Sequence, residues 1–159
     1  MSPAQPMGDP LPGMGELPAQ VAAPAPDGAE RPFSVYLHVP YCRVRCGYCD
    51  FNTYTNLTMG QGASAEDFVG TLAGELRAVS RAMDAAGLPV RPARTVFVGG
   101  GTPTMLPASD LVSMLDLVSE CFGLAPDAEV TTEANPDSVD EAALAALAKG
   151  GFTRVSFGM

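Results

Sequence analysis

Cys42, Cys46 and Cys49 stand in the run Cys42-Arg43-Val44-Arg45-Cys46-Gly47-Tyr48-Cys49. This C-x3-C-x2-C spacing is the part of the chain best equipped for chemistry. Three thiolates on one short loop can hold three irons of a [4Fe–4S] cluster, which leaves the fourth iron open to another ligand. Structural zinc instead wants four ligands in a closed tetrahedron. Cys121 or His38 would have to supply the fourth, and neither has a knuckle spacing. A dithiol redox motif would use Cys46 and Cys49 alone and leave Cys42 without a role. The residues favour the cluster and leave zinc and redox chemistry open.

Two further sets of residues qualify. Gly99-Gly100-Gly101-Thr102-Pro103 is either a tight turn after a strand or a backbone that a polar ligand can approach closely. It is not a phosphate loop, because no Lys-Ser/Thr pair follows. Thr104 occupies the third glycine position of the dinucleotide fingerprint, which excludes that motif too. Glu133 is either a solvated strand end or a carboxylate able to bind the amine of a ligand. His38, the sole histidine, reads as a satisfied strand residue ahead of a ligand or a proton donor. Cys121 reads as a packed apolar residue near a helix end.

The elements that must position these residues follow from periodicity. Phe33, Val35, Leu37 and Val39 alternate with polar neighbours, which predicts a strand closed by Pro40. Ser64 to Asp67 resembles a capping box. The helix behind it carries Phe68, Leu72, Leu76, Val79 and Met83 on one stripe. Arg94 to Val98 predicts a second strand, and about Pro107 to Phe122 a second helix with Leu111, Met114, Leu115 and Val118 on one side. Glu129 to Glu133 predicts a third strand. Ser138-Val139-Asp140-Glu141 predicts a cap for a short helix carrying Leu144 and Leu147. Thr153 to Phe157 opens a fourth strand. The order β-α-β-α-β-α-β implies an α/β fold with parallel strands, either part of a barrel or an open doubly wound sheet. Either way, the cysteine loop, the glycine run and Glu133 fall at the C-terminal edge of one sheet, where such folds build their sites.

Composition bounds the rest. The chain has 159 residues, 47% hydrophobic, and a net charge of −9. That charge argues against non-specific nucleic-acid binding and against an anionic membrane surface. No apolar run has the length of a membrane span, and the N-terminus has no secretory pattern. Clustered cysteines suggest a reducing compartment, hence a cytoplasmic protein. Residues 1–32 hold eight of the fifteen prolines and few large apolar residues. They read as a disordered tail ahead of one domain, 33–159.

Several motifs together resemble the radical S-adenosylmethionine (SAM) family. They are Tyr36-Leu37-His38-Val39-Pro40-Tyr41-Cys42, the three cysteines, Cys49-Asp50-Phe51-Asn52, Gly99 to Thr104, and Thr132-Glu133-Ala134-Asn135-Pro136. Within that family they are most similar to the coproporphyrinogen-oxidase-like branch, over residues 33–159. Oxygen-independent coproporphyrinogen III oxidases carry a further cysteine two residues after the third. Phe51 stands there instead. The resemblance is therefore to the haem chaperones of the branch, with the oxidase as the alternative and a zinc-binding module as a remote one.

The resemblance implies a partial TIM-type barrel of which this chain is the N-terminal part. It implies a [4Fe–4S] cluster on Cys42, Cys46 and Cys49, with SAM chelating the open iron. It implies SAM contacts from Tyr36, Gly100, Gly101, Thr102 and Glu133, with Tyr48 near the ligand. His38 belongs to the family motif without an assigned role. In the family, one electron from the reduced cluster breaks the S–C5′ bond of SAM. The implied partners are SAM, haem and haem-requiring respiratory apoproteins. Relatives continue past the motif that begins at Ser156. Strand four is therefore expected to be an unpaired, aggregation-prone edge.

Overall fold

The computed structural model describes residues 32–47, 49–58, 64–89 and 91–158. All of the expected tail except Pro32, and Tyr48 in the cysteine loop, lie outside the described residues. Four strands form one parallel sheet in the order β1-β2-β3-β4. They are β1 (Ser34–Val39), β2 (Ala93–Gly100), β3 (Leu124–Ala134) and β4 (Arg154–Phe157). Helices α1 (Phe68–Ala85), α2 (Ala108–Phe122) and α3 (Glu141–Lys149) connect them in turn. A single 3-10 turn, Pro103–Met105, precedes α2.

The sequential order settles which α/β architecture this is. Right-handed crossovers that never reverse direction put every helix on the same face of the sheet. A doubly wound sheet needs a reversal of strand order, and this sheet has none. The fold is a partial TIM-type barrel. Leu37, Val39, Val96, Val98 and Val130 of the sheet pack with Leu72 and Leu76 of α1, Leu111, Met114, Leu115 and Val118 of α2, and Leu147 of α3. Tyr36, His38, Phe97 and Glu133 alternate with these residues and so occupy the opposite face.

Leu111 is fully buried at the centre of the helical layer. Leu111→Ala is expected to cost about 2–5 kcal/mol by urea denaturation, from lost transfer energy plus a residual cavity. Val79, placed on the α1 stripe by its spacing, is 44% exposed. It lines an open groove with Phe33, Val35 and Met83 beside β1, an edge strand with no neighbour on its outer side among the described residues.

Several boundaries differ from the sequence expectation. Gly99 and Gly100 are the last residues of β2, since Gly99 pairs with His38 and Gly100 with Val39. Strand β3 begins at Leu124, five residues early, because it runs back along β2 as far as Ala93. Ser64 caps a tight turn that feeds α1, not the helix itself. Its hydroxyl accepts the Asp67 amide at 3.1 Å and donates to the Asp67 carboxylate at 2.8 Å. At α3 the cap is Asp140, which accepts the Ala143 amide at 2.8 Å. Ser138 is engaged elsewhere, accepting the Asn135 amide and donating to its carbonyl. No helix among the described residues is long and apolar enough to cross a membrane.

Candidate cofactor site

The cysteine loop grows directly from the end of β1. Its base is zipped by two backbone bonds, Tyr54 N–H to Pro40 C=O at 2.7 Å and Cys42 N–H to Tyr54 C=O at 2.9 Å. Tyr41 anchors this base in the core, with its ring edge-on to Phe68 at 5.7 Å. Burial, and then the charge of Asp67, hold the Tyr41 phenol above its ordinary pKa. Cys42 is buried, Cys49 is half-buried beside the Thr53 hydroxyl, and Cys46 is exposed. All three are free thiols.

The glycine turn is stitched to that base. Gly101 N–H donates to Val39 C=O at 2.8 Å, and Thr102 N–H to Tyr41 C=O at 2.7 Å. A Cβ on Gly101 would sit 2.4 Å from the Tyr41 carbonyl oxygen and 2.9 Å from Cys42 Sγ. Only a glycine lets the two loops approach so closely. Gly100 has φ +115°, a conformation L side chains rarely adopt, and its missing Cβ makes room for the His38 ring.

The third loop joins through Glu133 and Asn135. Glu133 Oε2 accepts the Gly100 amide at 3.1 Å, so this carboxylate is held in place and is not merely a solvated strand end. Asn135 Nδ2 donates to Thr102 Oγ1 at 3.2 Å. Arg43 of the cysteine loop meets Asp137 at 3.1 Å, but both are well exposed and screened, so this pair adds little stability. Tyr36 stacks on Phe97 with centroids 6.1 Å apart. Burial, and then the negative charge of Glu133, raise its phenol above the usual tyrosine range.

Tyr36, His38, Gly100, Gly101, Thr102 and Glu133 are therefore brought to one sheet edge with the cysteine loop. Among the described residues no three His, Cys, Asp or Glu side chains are gathered to hold one metal ion. The thiols share a loop, and a bound metal would have to draw them together. The donor set suits such a group. It is three soft thiols, and the intervening residues Arg43 to Gly47 are exposed and free of core packing. Cys121 stands apart on α2, partly buried against the core. Sequence reasoning assigned no part to Asn135 or to the Asn52 carbonyl. Asn135 lies in the Glu133 motif, which was a usable signal; a backbone carbonyl leaves none.

Sheet, loops and thiols define a class. A model of the Radical SAM superfamily matches residues 36–159, and the chain belongs to that superfamily. Within it the chain is similar to the haem chaperone HemW of Mycobacterium tuberculosis (strain CDC 1551 / Oshkosh). The two are 46% identical over 149 residues, 94% of this chain and 34% of that protein. HemW of Escherichia coli (strain K12) is 35% identical over 128 residues, 80% of this chain and 32% of that one. Among solved structures, coproporphyrinogen III oxidase (HemN) from Escherichia coli, a radical SAM enzyme, superposes with a TM-score of 0.70 at 30% identity. It covers 88% of this chain and 30% of its own. The chain thus spans about a third of the length of the relatives it matches.

Proposed function

We propose that this chain forms the cluster- and SAM-binding part of a HemW-like haem chaperone, one that delivers haem to respiratory apoproteins in the cytoplasm. Cys42, Cys46 and Cys49 would hold a [4Fe–4S] cluster. The glycine turn, Glu133, Tyr36 and Tyr48 would hold SAM. Bound there, the two cofactors supply one-electron reductive cleavage of the SAM sulfonium. The protein's own part is ligation, orientation and exclusion of water.

The observation that carries this reading is the stitching of three loops at one sheet edge. Gly101 and Thr102 bind the base of the cysteine loop, and Gly100 binds Glu133. A ligand held between these loops would meet those same groups. Anaerobic reconstitution followed by iron, sulfide and zinc analysis tests the cluster, and calorimetry with SAM tests the second cofactor. Zinc without sulfide would sink the reading.

Glu133→Gln sharpens that test. The amide oxygen of Gln still accepts the Gly100 N–H, so the turn is kept while the charge is lost. A hydrogen bond to a charged group is worth about 1.5–3 kcal/mol. SAM affinity is therefore expected to fall about 10- to 100-fold, with little change in unfolding midpoint. Unchanged affinity would remove Glu133 from the site.

The likeness to HemN favours one other reading, a radical oxidative decarboxylation of coproporphyrinogen III. Phe51 weighs against it. It stands where the oxidases have a further cysteine, and it is 61% exposed. Turnover of coproporphyrinogen III by a longer form of the protein, with SAM and reductant, would decide for the oxidase.

A further inference from the structure

We propose that His38 is a positioning residue that joins the exit of the cysteine loop to the glycine turn and fixes the direction of the Tyr36 hydroxyl. This rests on the cluster-and-SAM reading and assigns a part to a residue that reading does not use.

His38 touches two of the three loops and reaches the third only through Gly100. Its Nε2 lies 3.0 Å from the carbonyl oxygen of Asn52, at the exit of the cysteine loop. Its Nδ1 lies 3.0 Å from the hydroxyl of Tyr36 on β1. Its ring fills the space that a Cβ on Gly100 would need, 2.6 Å from both Nδ1 and Cε1. Gly100 in turn donates its amide to Glu133.

The chemistry of the partners sets the tautomer. A backbone carbonyl has only lone pairs, so Nε2 must carry the hydrogen. In the neutral ring Nδ1 is then an acceptor, and Tyr36 must donate to it. The Tyr36 oxygen is left with its lone pairs outward, so it meets a ligand as an acceptor, beside the Glu133 carboxylate. At the other end, the bond to Asn52 holds the chain three residues beyond Cys49. The adjoining Thr53 is buried, and its hydroxyl stands 3.8 Å from Cys49 Sγ. His38 thus acts on the thiols through the loop exit and on the ligand through Tyr36.

Two substitutions separate these roles. Gln places its amide nitrogen near the Nε2 position, so His38→Gln keeps the bond to Asn52 and loses the partner of Tyr36. Asn places its oxygen near the Nδ1 position, so His38→Asn does the reverse. His38→Asn is expected to lower iron retention about 10- to 100-fold, the range for a group that orients a metal ligand. His38→Gln is expected to keep iron but to weaken SAM binding about 2- to 10-fold, as Tyr36→Phe does, for one neutral hydrogen bond. Equal losses in the two variants would overturn the assignment.

The tautomer can be read without any cofactor. His38 is the sole histidine, so the imidazole nitrogen spectrum of the 159-residue chain contains one ring. Hydrogen on Nε2, with the Nδ1 resonance moved by Tyr36→Phe, supports the assignment. Hydrogen on Nδ1 overturns it. A wild-type chain that takes up no iron would sink the cluster reading alone. Amide exchange over residues 49–54 would then carry the test: about tenfold faster in His38→Asn than in wild type or His38→Gln in support, alike in all three against.

Discussion

Cys46→Ser is expected to abolish cluster assembly while leaving the fold intact. Cys46 is exposed and packs against no core residue. The bond that closes its turn uses its backbone, the carbonyl accepting from Cys49 N–H at 3.1 Å. A serine hydroxyl preserves that turn, yet it is a hard, weakly acidic ligand in place of a soft thiolate. With three protein thiolates for four irons, losing one leaves two and no closed set. After anaerobic reconstitution, iron and sulfide content should fall to background, with the urea midpoint unchanged. The same change at Cys42 should lose iron and also lower the urea midpoint, because Cys42 is buried against the glycine turn. Cys121→Ser is the control and should retain its iron. A Cys46→Ser protein with full iron and sulfide would remove Cys46 from the ligand set.

Gly101→Ala should damage stability and cofactor binding together. The added Cβ meets the Tyr41 carbonyl oxygen at 2.4 Å and the Tyr41 carbonyl carbon at 2.9 Å. These are backbone atoms pinned on both sides, by Cys42 N–H to Tyr54 C=O and by Thr102 N–H to Tyr41 C=O. No side-chain rotation can relieve the clash, so the two loops must part. Overpacking of this kind costs about 1–3 kcal/mol. Cys42 Sγ, 2.9 Å from the same Cβ, is displaced at the same time. The expected result is a lower urea midpoint and a marked loss of iron uptake. Gly74→Ala in α1 meets no atom within 4 Å and is the control. There the gain in helix propensity should raise stability by up to about 1 kcal/mol. Equal midpoints for Gly101→Ala and wild type would show that the two loops do not approach as described.

Much of this site was legible in the sequence because it depends on order and spacing. The cysteines are a local pattern. The alternation of Val35, Leu37 and Val39 marks a strand whatever lies beside it. The stripe of Leu111, Met114, Leu115 and Val118 marks a helix face, and all four are buried. Where the reading slipped, a local signal lost to a tertiary partner. Ser138 has the type and spacing of a cap, but it is bound to Asn135, and Asp140 caps the helix instead. Leu124 to Asp127 hold a proline and an acid and do not read as a strand. Leu124 pairs with Ala93 of β2 all the same, and the residues between it and Glu129 run through a register shift as part of β3.

The sequence by itself determined that parallel βα units carry the three loops on one edge. Every βα loop of a parallel sheet must fall there, so this needed no knowledge of neighbours. It also determined which thiols are close along the chain. Only the tertiary structure decided between a barrel and a doubly wound sheet, because apolar strands do not encode which strand lies beside which. Only it showed that Gly100 makes room for His38, that Gly101 lies against Tyr41, and that the sole histidine stands within hydrogen-bond distance of the Asn52 carbonyl. Those contacts link residues far apart in the chain, at Asn52, Gly100 and Glu133, and such separations leave no periodicity to read.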